Sequence, residues 1–88
     1  MTLVEFATMI DTRIELGVSA QWGAFLRNVE IKDGCMLSSC CGYGDTARGA
    51  LLSLVEEMRG KRIVIHAMSK ELRHEYVVPA TLVVGDLR

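Results

Sequence analysis

The chain lacks an excess of charge of either sign, and it lacks a long apolar run. Its 88 residues include 10 basic and 11 acidic ones, for a net charge of -1. Without a basic excess we expect no nucleic-acid partner, and without an acidic block we expect no imitation of DNA by charge. The sequence begins with neither the basic stretch nor the apolar run of a signal peptide, and no window is apolar enough to span a bilayer. We therefore expect a protein of the cytoplasm with no membrane contact.

Chemical groups that would support catalysis are also scarce. The three cysteines, Cys35, Cys40 and Cys41, include no Cys-x-x-Cys pair. Adjacent Cys40 and Cys41 would point to opposite faces of a strand, which does not suit a tetrahedral metal site. Buried free thiols are the simplest interpretation, and a nucleophile with a lowered pKa near a helix start is the alternative. No Ser-His-Asp or paired-carboxylate pattern stands out, so we expect no enzyme, no metal and no cofactor.

What the chain has in abundance is apolar residues. Half of the residues are hydrophobic, which is more than one small domain over residues 1–88 can bury. We therefore expect a homodimer or an apolar surface that a partner covers.

The most strongly patterned stretch is a helix that ends near Gly60. Its N-terminus can be capped by Asp45 or Thr46, and Gly60 lies where a left-handed residue would end it. Leu52 lies off the apolar stripe and is either a peripheral core residue or a contact point. The stripe has helical spacing and consists of Ala47, Ala50, Leu51, Leu54, Val55 and Met58.

The segment before this helix allows two interpretations. Two glycines at a helix N-terminus would let the backbone approach an anion, and Arg48 would add positive charge. The alternative is that the two glycines only form a tight strand-to-helix turn. The negative charge of Asp45 would repel an anion, and no lysine follows as in a Walker motif. Trp22 is a candidate contact residue if exposed and a core residue otherwise. The candidate binding residues are Gly42, Tyr43, Gly44, Asp45, Thr46, Arg48 and Trp22.

The rest of the chain predicts a short helix and five strands. Thr2 and Glu5 form a capping box that starts a helix over residues 3–11. The predicted order is α-β-β-β-α-β-β, an α+β fold with both helices on one side of an antiparallel sheet. Alternation predicts strands over residues 13–20, 24–32, 35–41, 62–68 and 72–78.

Three details of this prediction depend on register. In the second strand, Phe25, Val29 and Ile31 share a parity, with Arg27 as the exception. A last hairpin centred on Lys70 would place the histidines at positions 66 and 74 opposite each other, as an exposed pair or as part of a metal site. The tail over residues 80–88 would add an edge strand or pack on a neighbour.

Two resemblances suggest functions. The α-β-β-β-α beginning, with residues 42–46 before a helix rich in alanine and leucine, resembles a double-stranded-RNA-binding domain over residues 1–59. That family places lysines at the start of its second helix, where this chain has only Arg48, so the phosphate contacts of the family are not implied.

The second resemblance covers the C-terminal half. The Gly-x-Gly-x-Thr segment, the helix after it, and the runs 59–65 and 73–79 resemble small uncharacterised proteins of phages and prophages. This resemblance implies a non-catalytic accessory protein that binds and inhibits or modulates a host protein, in the manner of anti-defence inhibitors such as those of CRISPR nucleases. Capture of a nucleotide or another anion at Gly42–Thr46, and a thiol enzyme using Cys40 or Cys41, are the alternative hypotheses.

Overall fold

The computed structural model describes residues 1–85 and confirms the predicted fold class. The structure has two helices and a five-stranded antiparallel sheet, and the helices and strands follow one another along the chain in the predicted order. The elements are α1 (Leu3–Met9), β1 (Ile14–Val18), β2 (Trp22–Asp33), β3 (Met36–Gly44), α2 (Ala47–Met58), β4 (Arg62–Ile65) and β5 (His74–Val77).

The long strand β2 is the centre of the sheet. Along one edge it pairs with β3, and its other edge is shared by β1 and β4. β1 pairs with residues 22–26 of β2, and β4 pairs with residues 29–32. β5 then pairs with the free edge of β4. Residues 22–33 therefore hold both halves of the sheet together.

A β-bulge in the middle of β2 reverses which side chains face the core. The register against β3 shifts between Phe25 and Glu30, and Asn28 within that interval has a φ of 61°. Before the bulge the even-numbered Leu26 is buried, and after it the odd-numbered Val29 is buried. The prediction that Phe25 shares a face with Val29 is therefore wrong, because the extra residue of a bulge changes the alternation.

Side-chain caps start both helices. The predicted capping box is present, with the Thr2 N–H donating to Glu5 Oε1 at 2.9 Å and the Glu5 N–H donating to Thr2 Oγ1 at 3.2 Å. The hydrogen bond from the Thr2 backbone N–H to the carboxylate, and after it the interaction with the Thr2 side chain, lower the pKa of the Glu5 carboxyl. Of the two candidate caps of α2, Thr46 is the one used, since its Oγ1 accepts from the Gly49 N–H at 2.9 Å. Gly60 has a φ of 70°, as its predicted role requires.

Both helices bury their apolar sides in one core against the same side of the sheet. α2 contributes most of its predicted stripe, whereas Leu52 is 42% exposed and lies outside the core. α1 contributes Leu3, Phe6 and Ala7. No helix of residues 1–85 is both long and apolar enough to cross a membrane.

The tail packs on its own chain within the described residues. Leu82 and Val84 are buried in the core, and Val83 forms an isolated parallel bridge with Thr2. The prediction of an edge strand extends to residues 86–88, which lie outside the described part.

The prediction that His66 and His74 lie opposite each other is wrong, because the register differs by one residue. β4 ends at Ile65, which pairs with His74 of β5. His66 instead begins the connection between the strands and has a φ of 51°. This connection forms its own turn, with the Ser69 N–H donating to the His66 carbonyl at 2.9 Å. Alternation in the sequence continues beyond the paired residues, so it overestimates both strands.

Candidate functional site

The sheet divides the predicted site between two faces. Gly42 and Gly44 belong to β3, which runs through Gly44 where the sequence predicted an end at residue 41. A Cβ on Gly42 would collide with the backbone nitrogen of Leu54, and one on Gly44 would lie 2.7 Å from the nitrogen of Ala50. The two glycines therefore let the backbone of α2 lie directly on the strand. They face the helix, and close packing explains both of them.

The start of α2 uses its polar groups within the chain. Thr46 caps the helix, and the Arg48 guanidinium donates to the Gly85 carbonyl at 3.3 Å. Asp45 is exposed beside them. The hypothesis of an anion site here stays a prediction. Because the two glycines face the helix, only the first turn of α2 would contribute to such a site.

Trp22 also belongs to the helix side of the sheet. It is the first residue of β2, is half-buried and packs against the core. Its strand neighbours are Val18 and Gly44. The sequence predicted a break between strands at this position, whereas β2 begins here.

Tyr43 points the other way, onto the face of the sheet opposite the helices, which we call the outer face. Tyr43 is 57% exposed, and Phe25, on the same face, is 40% exposed. The strand register places Phe25 beside Cys41, and Tyr43 beside Gly23. A Cβ on Gly23 would lie 3.4 Å from the Tyr43 ring, so the ring rests over this glycine. Two aromatic side chains thus lie near each other on the outer face.

Open depressions border these two side chains. One has a volume of about 560 Å³ and lies at the bulge, where Asn28, Glu30 and Cys41 line it. The other has a volume of about 310 Å³, and the paired Gly17 and Gly23 contribute to its lining. Phe25 and Tyr43 line both depressions. We call this whole region, Phe25, Tyr43 and the two depressions, the aromatic face.

The two adjacent cysteines have different environments, because they lie on opposite faces as predicted. Cys40 is buried under the helices, and burial above all raises the pKa of its thiol to about 12, with smaller effects of Cys41 and Glu57. Cys41 is half-buried on the outer face. A side-chain hydrogen bond with Cys41 is the main cause of a raised pKa at the Tyr43 hydroxyl. A thiol with the pKa of Cys40 stays protonated at neutral pH, which does not suit a nucleophile.

A cluster of charges occupies the other end of the outer face. The Glu75 carboxylate lies 3.2 Å from Lys32 Nζ, 3.5 Å from Arg62 and 3.8 Å from Arg73. The hydrogen bond from Lys32 is the main cause of a lowered pKa at Glu75. Lys32 reaches Glu75 because β4 pairs with β2 on one side and with β5 on the other. In residues 1–85, no three histidine, cysteine or acidic side chains are grouped to hold a metal ion.

The aromatic face was missed in part by the sequence prediction. Tyr43 was a candidate, but Phe25, Gly17 and Gly23 were not. Arg27, the exception to the alternation of β2, was the available signal, because a charged residue at a predicted core position indicates a bulge. Comparisons with protein-family models, with curated proteins and with solved structures gave no match.

Proposed function

We propose that this chain is a non-catalytic accessory protein of the phage type, acting in the host cytoplasm, which binds and modulates a host protein through its aromatic face. The observation that carries the proposal is the exposure of Phe25 and Tyr43 at diagonal positions of neighbouring strands on the outer face. The helices bury the centre of the other face, where Leu26, Val29 and Ile31 lie, whereas residues 1–85 leave these two rings open to solvent.

Aromatic side chains of this kind are typical anchors of protein interfaces. Tyrosine combines a large apolar ring with a polar hydroxyl, and it is enriched among the residues that carry most of the binding energy. Phe25 supplies a wholly apolar neighbour. Exposed charges border the pair, with Glu15 and Arg27 4.0 Å apart. An apolar centre with a charged rim is the usual anatomy of a protein–protein interface.

The form of the depressions also favours a protein partner. Both are open to solvent, and each is bordered by the same two rings. A small ligand is usually enclosed by its pocket over most of its surface. An open face with two adjacent hollows instead suits two projecting side chains of a partner surface.

The proposal is tested by comparing the proteins captured by three forms of the chain. The tagged wild type, a double variant with Phe25→Ala and Tyr43→Ala, and a Leu52→Ala control are each incubated with host-cell lysate, and bound proteins are quantified by mass spectrometry. Leu52 is a matched control because it is an exposed apolar side chain of similar accessibility on the helix side. Circular dichroism checks that all three forms fold.

We expect one host protein to be enriched with the wild type and the Leu52→Ala control and lost with the double variant. Loss of a central aromatic pair typically weakens binding by at least about 2 kcal/mol, or roughly 30-fold. Equal recovery with all three folded forms, or enrichment of no protein by the wild type, would overturn the proposal.

A further inference from the structure

The strand β3 has a free edge that is unusually open to pairing. It is nine residues long and pairs only with β2 among residues 1–85. Outside that pairing, no backbone hydrogen bond of the described residues involves residues 36–44. Every second N–H and C=O along β3 therefore points away from the sheet and has no partner among residues 1–85. An extended strand is the structure that satisfies such a row of groups.

β3 also lacks the features that normally protect an edge strand. Natural edges are kept from pairing by charged side chains, by proline or by short length. No residue between Asp33 and Asp45 is charged, and none is proline. The opposite edge of the sheet is different, since β1 and β5 have five and four residues and contain Glu15 and Glu75.

We propose that β3 pairs with β3 of a second copy of this chain, antiparallel and about a two-fold axis, so that the two sheets become one continuous sheet of ten strands. About a two-fold axis, each residue of β3 in one copy lies opposite a residue of β3 in the second copy, so the strand has to be compatible with its own sequence. A charged strand would repel itself in this arrangement, whereas a neutral one does not. The absence of charge also leaves nothing that would select a different, oppositely charged strand.

The flanking aspartates and the outer-face side chains favour pairing centred on Cys40 over pairing centred on Ser39. Pairing centred on Ser39 would place Asp33 of each copy opposite Asp45 of the other, where like charges destabilise. Pairing centred on Cys40 avoids this contact. It also sets Leu37 opposite Tyr43 on the outer face, where these side chains are 36% and 57% exposed. An aliphatic–aromatic pair across strands is stabilising, and the two-fold axis produces it twice.

Dimerisation through β3 does not require a host partner, so light scattering of the purified chain tests it separately, although Tyr43 takes part in both proposals. The pairing leaves Phe25 uncovered, because Phe25 lies on β2. It would bring the outer faces of the two copies together in one surface.

The first test uses a charge on the free edge. Ser39 is exposed and points to the outer face, next to the proposed axis. Ser39→Lys would place one lysine of each copy at diagonal positions that lie about 7–8 Å apart across the axis, where their like charges oppose the pairing. Size-exclusion chromatography with light scattering should give the mass of two chains for the wild type and of one chain for Ser39→Lys.

Val18→Lys is the matched control, because Val18 is an exposed residue of the other edge strand, β1. It should keep the mass of two chains, and circular dichroism should show all three forms folded. A wild type with the mass of one chain, or a folded Ser39→Lys variant with the mass of two, would overturn the proposal.

A second variant tests the register without depending on dissociation. In pairing centred on Cys40, position 39 lies opposite Cys41 of the second copy. Opposed Cα atoms lie about 4.5–5.5 Å apart, which is within the range that a disulfide spans. Mild oxidation of Ser39→Cys should therefore give a cross-linked dimer whose disulfide peptide joins positions 39 and 41. Absence of that peptide from the oxidised product would overturn this pairing.

Discussion

Two residues without side chains determine how closely α2 lies on the sheet. Gly42 and Gly44 are spaced two apart in β3 and therefore face the same side, beneath the helix. The sequence suggested special roles for them in a turn or an anion site. Their actual role could not be predicted, because a glycine required by a helix packed against its strand looks the same in a sequence as a glycine required by a turn.

Gly42→Ala should destabilise the chain much more than Gly17→Ala. The added methyl at position 42 meets the backbone of α2, which cannot move aside as a flexible side chain would, so a loss of about 3 kcal/mol is expected. At position 17 no atom lies within 4 Å of the added carbon, and the change should be within about 0.5 kcal/mol. Urea unfolding of both variants measures the difference. Equal losses would contradict the close contact between α2 and β3.

The buried Cys40 thiol should make stability depend on alkaline pH. Its pKa rises from an ordinary value of 9.0 to about 12 in the folded chain. Between these values the unfolded state loses the proton first, so it binds fewer protons than the folded state and stability falls as pH rises. The slope from this group alone is at most about 1.4 kcal/mol per pH unit.

A Cys40→Ala variant isolates this effect from other groups that titrate in the same range. It should be less stable than the wild type near pH 8, because it leaves a small cavity. The difference between the two should shrink as pH rises above 9, when measured by urea unfolding at intervals up to about pH 11. Two stability curves that stay parallel over this range would show that Cys40 does not titrate as its burial requires.

At the scale of the elements, the bulge in β2 determines which side chains lie on the outer face. The bulge at Asn28 turns Phe25 from the predicted core to the outer face, where it lies near Tyr43. The bulge is also where β1 gives way to β4 along the same edge, and the Asn28 carbonyl accepts from the His66 N–H at 2.9 Å. One inserted residue thus links the topology of the sheet with the aromatic face.

Asn28→Gly and Asn28→Ala should differ in stability, because the left-handed backbone at φ 61° suits one and not the other. Glycine adopts this conformation freely, so Asn28→Gly should stay within about 0.5 kcal/mol of the wild type. Alanine lacks the polar side chain that helps asparagine there and should cost about 1–2 kcal/mol. Urea unfolding of the two variants gives the comparison. An equal loss for both would mean that the asparagine side chain matters and the backbone conformation does not.

Local patterns predicted which elements form, and they were less able to predict register. The capping box at Thr2, the stripe of α2 and the left-handed Gly60 all depend on neighbours within one or two turns, so the sequence contains the whole signal. The bulge and the offset of His74 against Ile65 depend on pairing between distant strands. Alternation alone does not contain that information.

At the scale of the whole molecule, the two faces of the sheet differ. The two helices bury the centre of one face of the sheet, and the other face carries two exposed aromatic side chains at one end and a charge cluster around Glu75 at the other. Tyr43 was the one candidate residue that the structure places on the aromatic face. The other candidates pack under α2, lie at the start of that helix or belong to the core. These different positions could not be distinguished in a continuous stretch of sequence.

The central claim is that the aromatic face is the binding surface, and chemical-shift mapping by NMR tests it most directly. The isotope-labelled chain is titrated with the host protein that the capture experiment recovers. We predict that the largest backbone amide shifts will occur at Gly17, Gly23, Phe25, Cys41 and Tyr43, with little change on the exposed side of α2. Shifts concentrated around Leu52 and Glu56 of α2, with the aromatic face unchanged, would contradict the account.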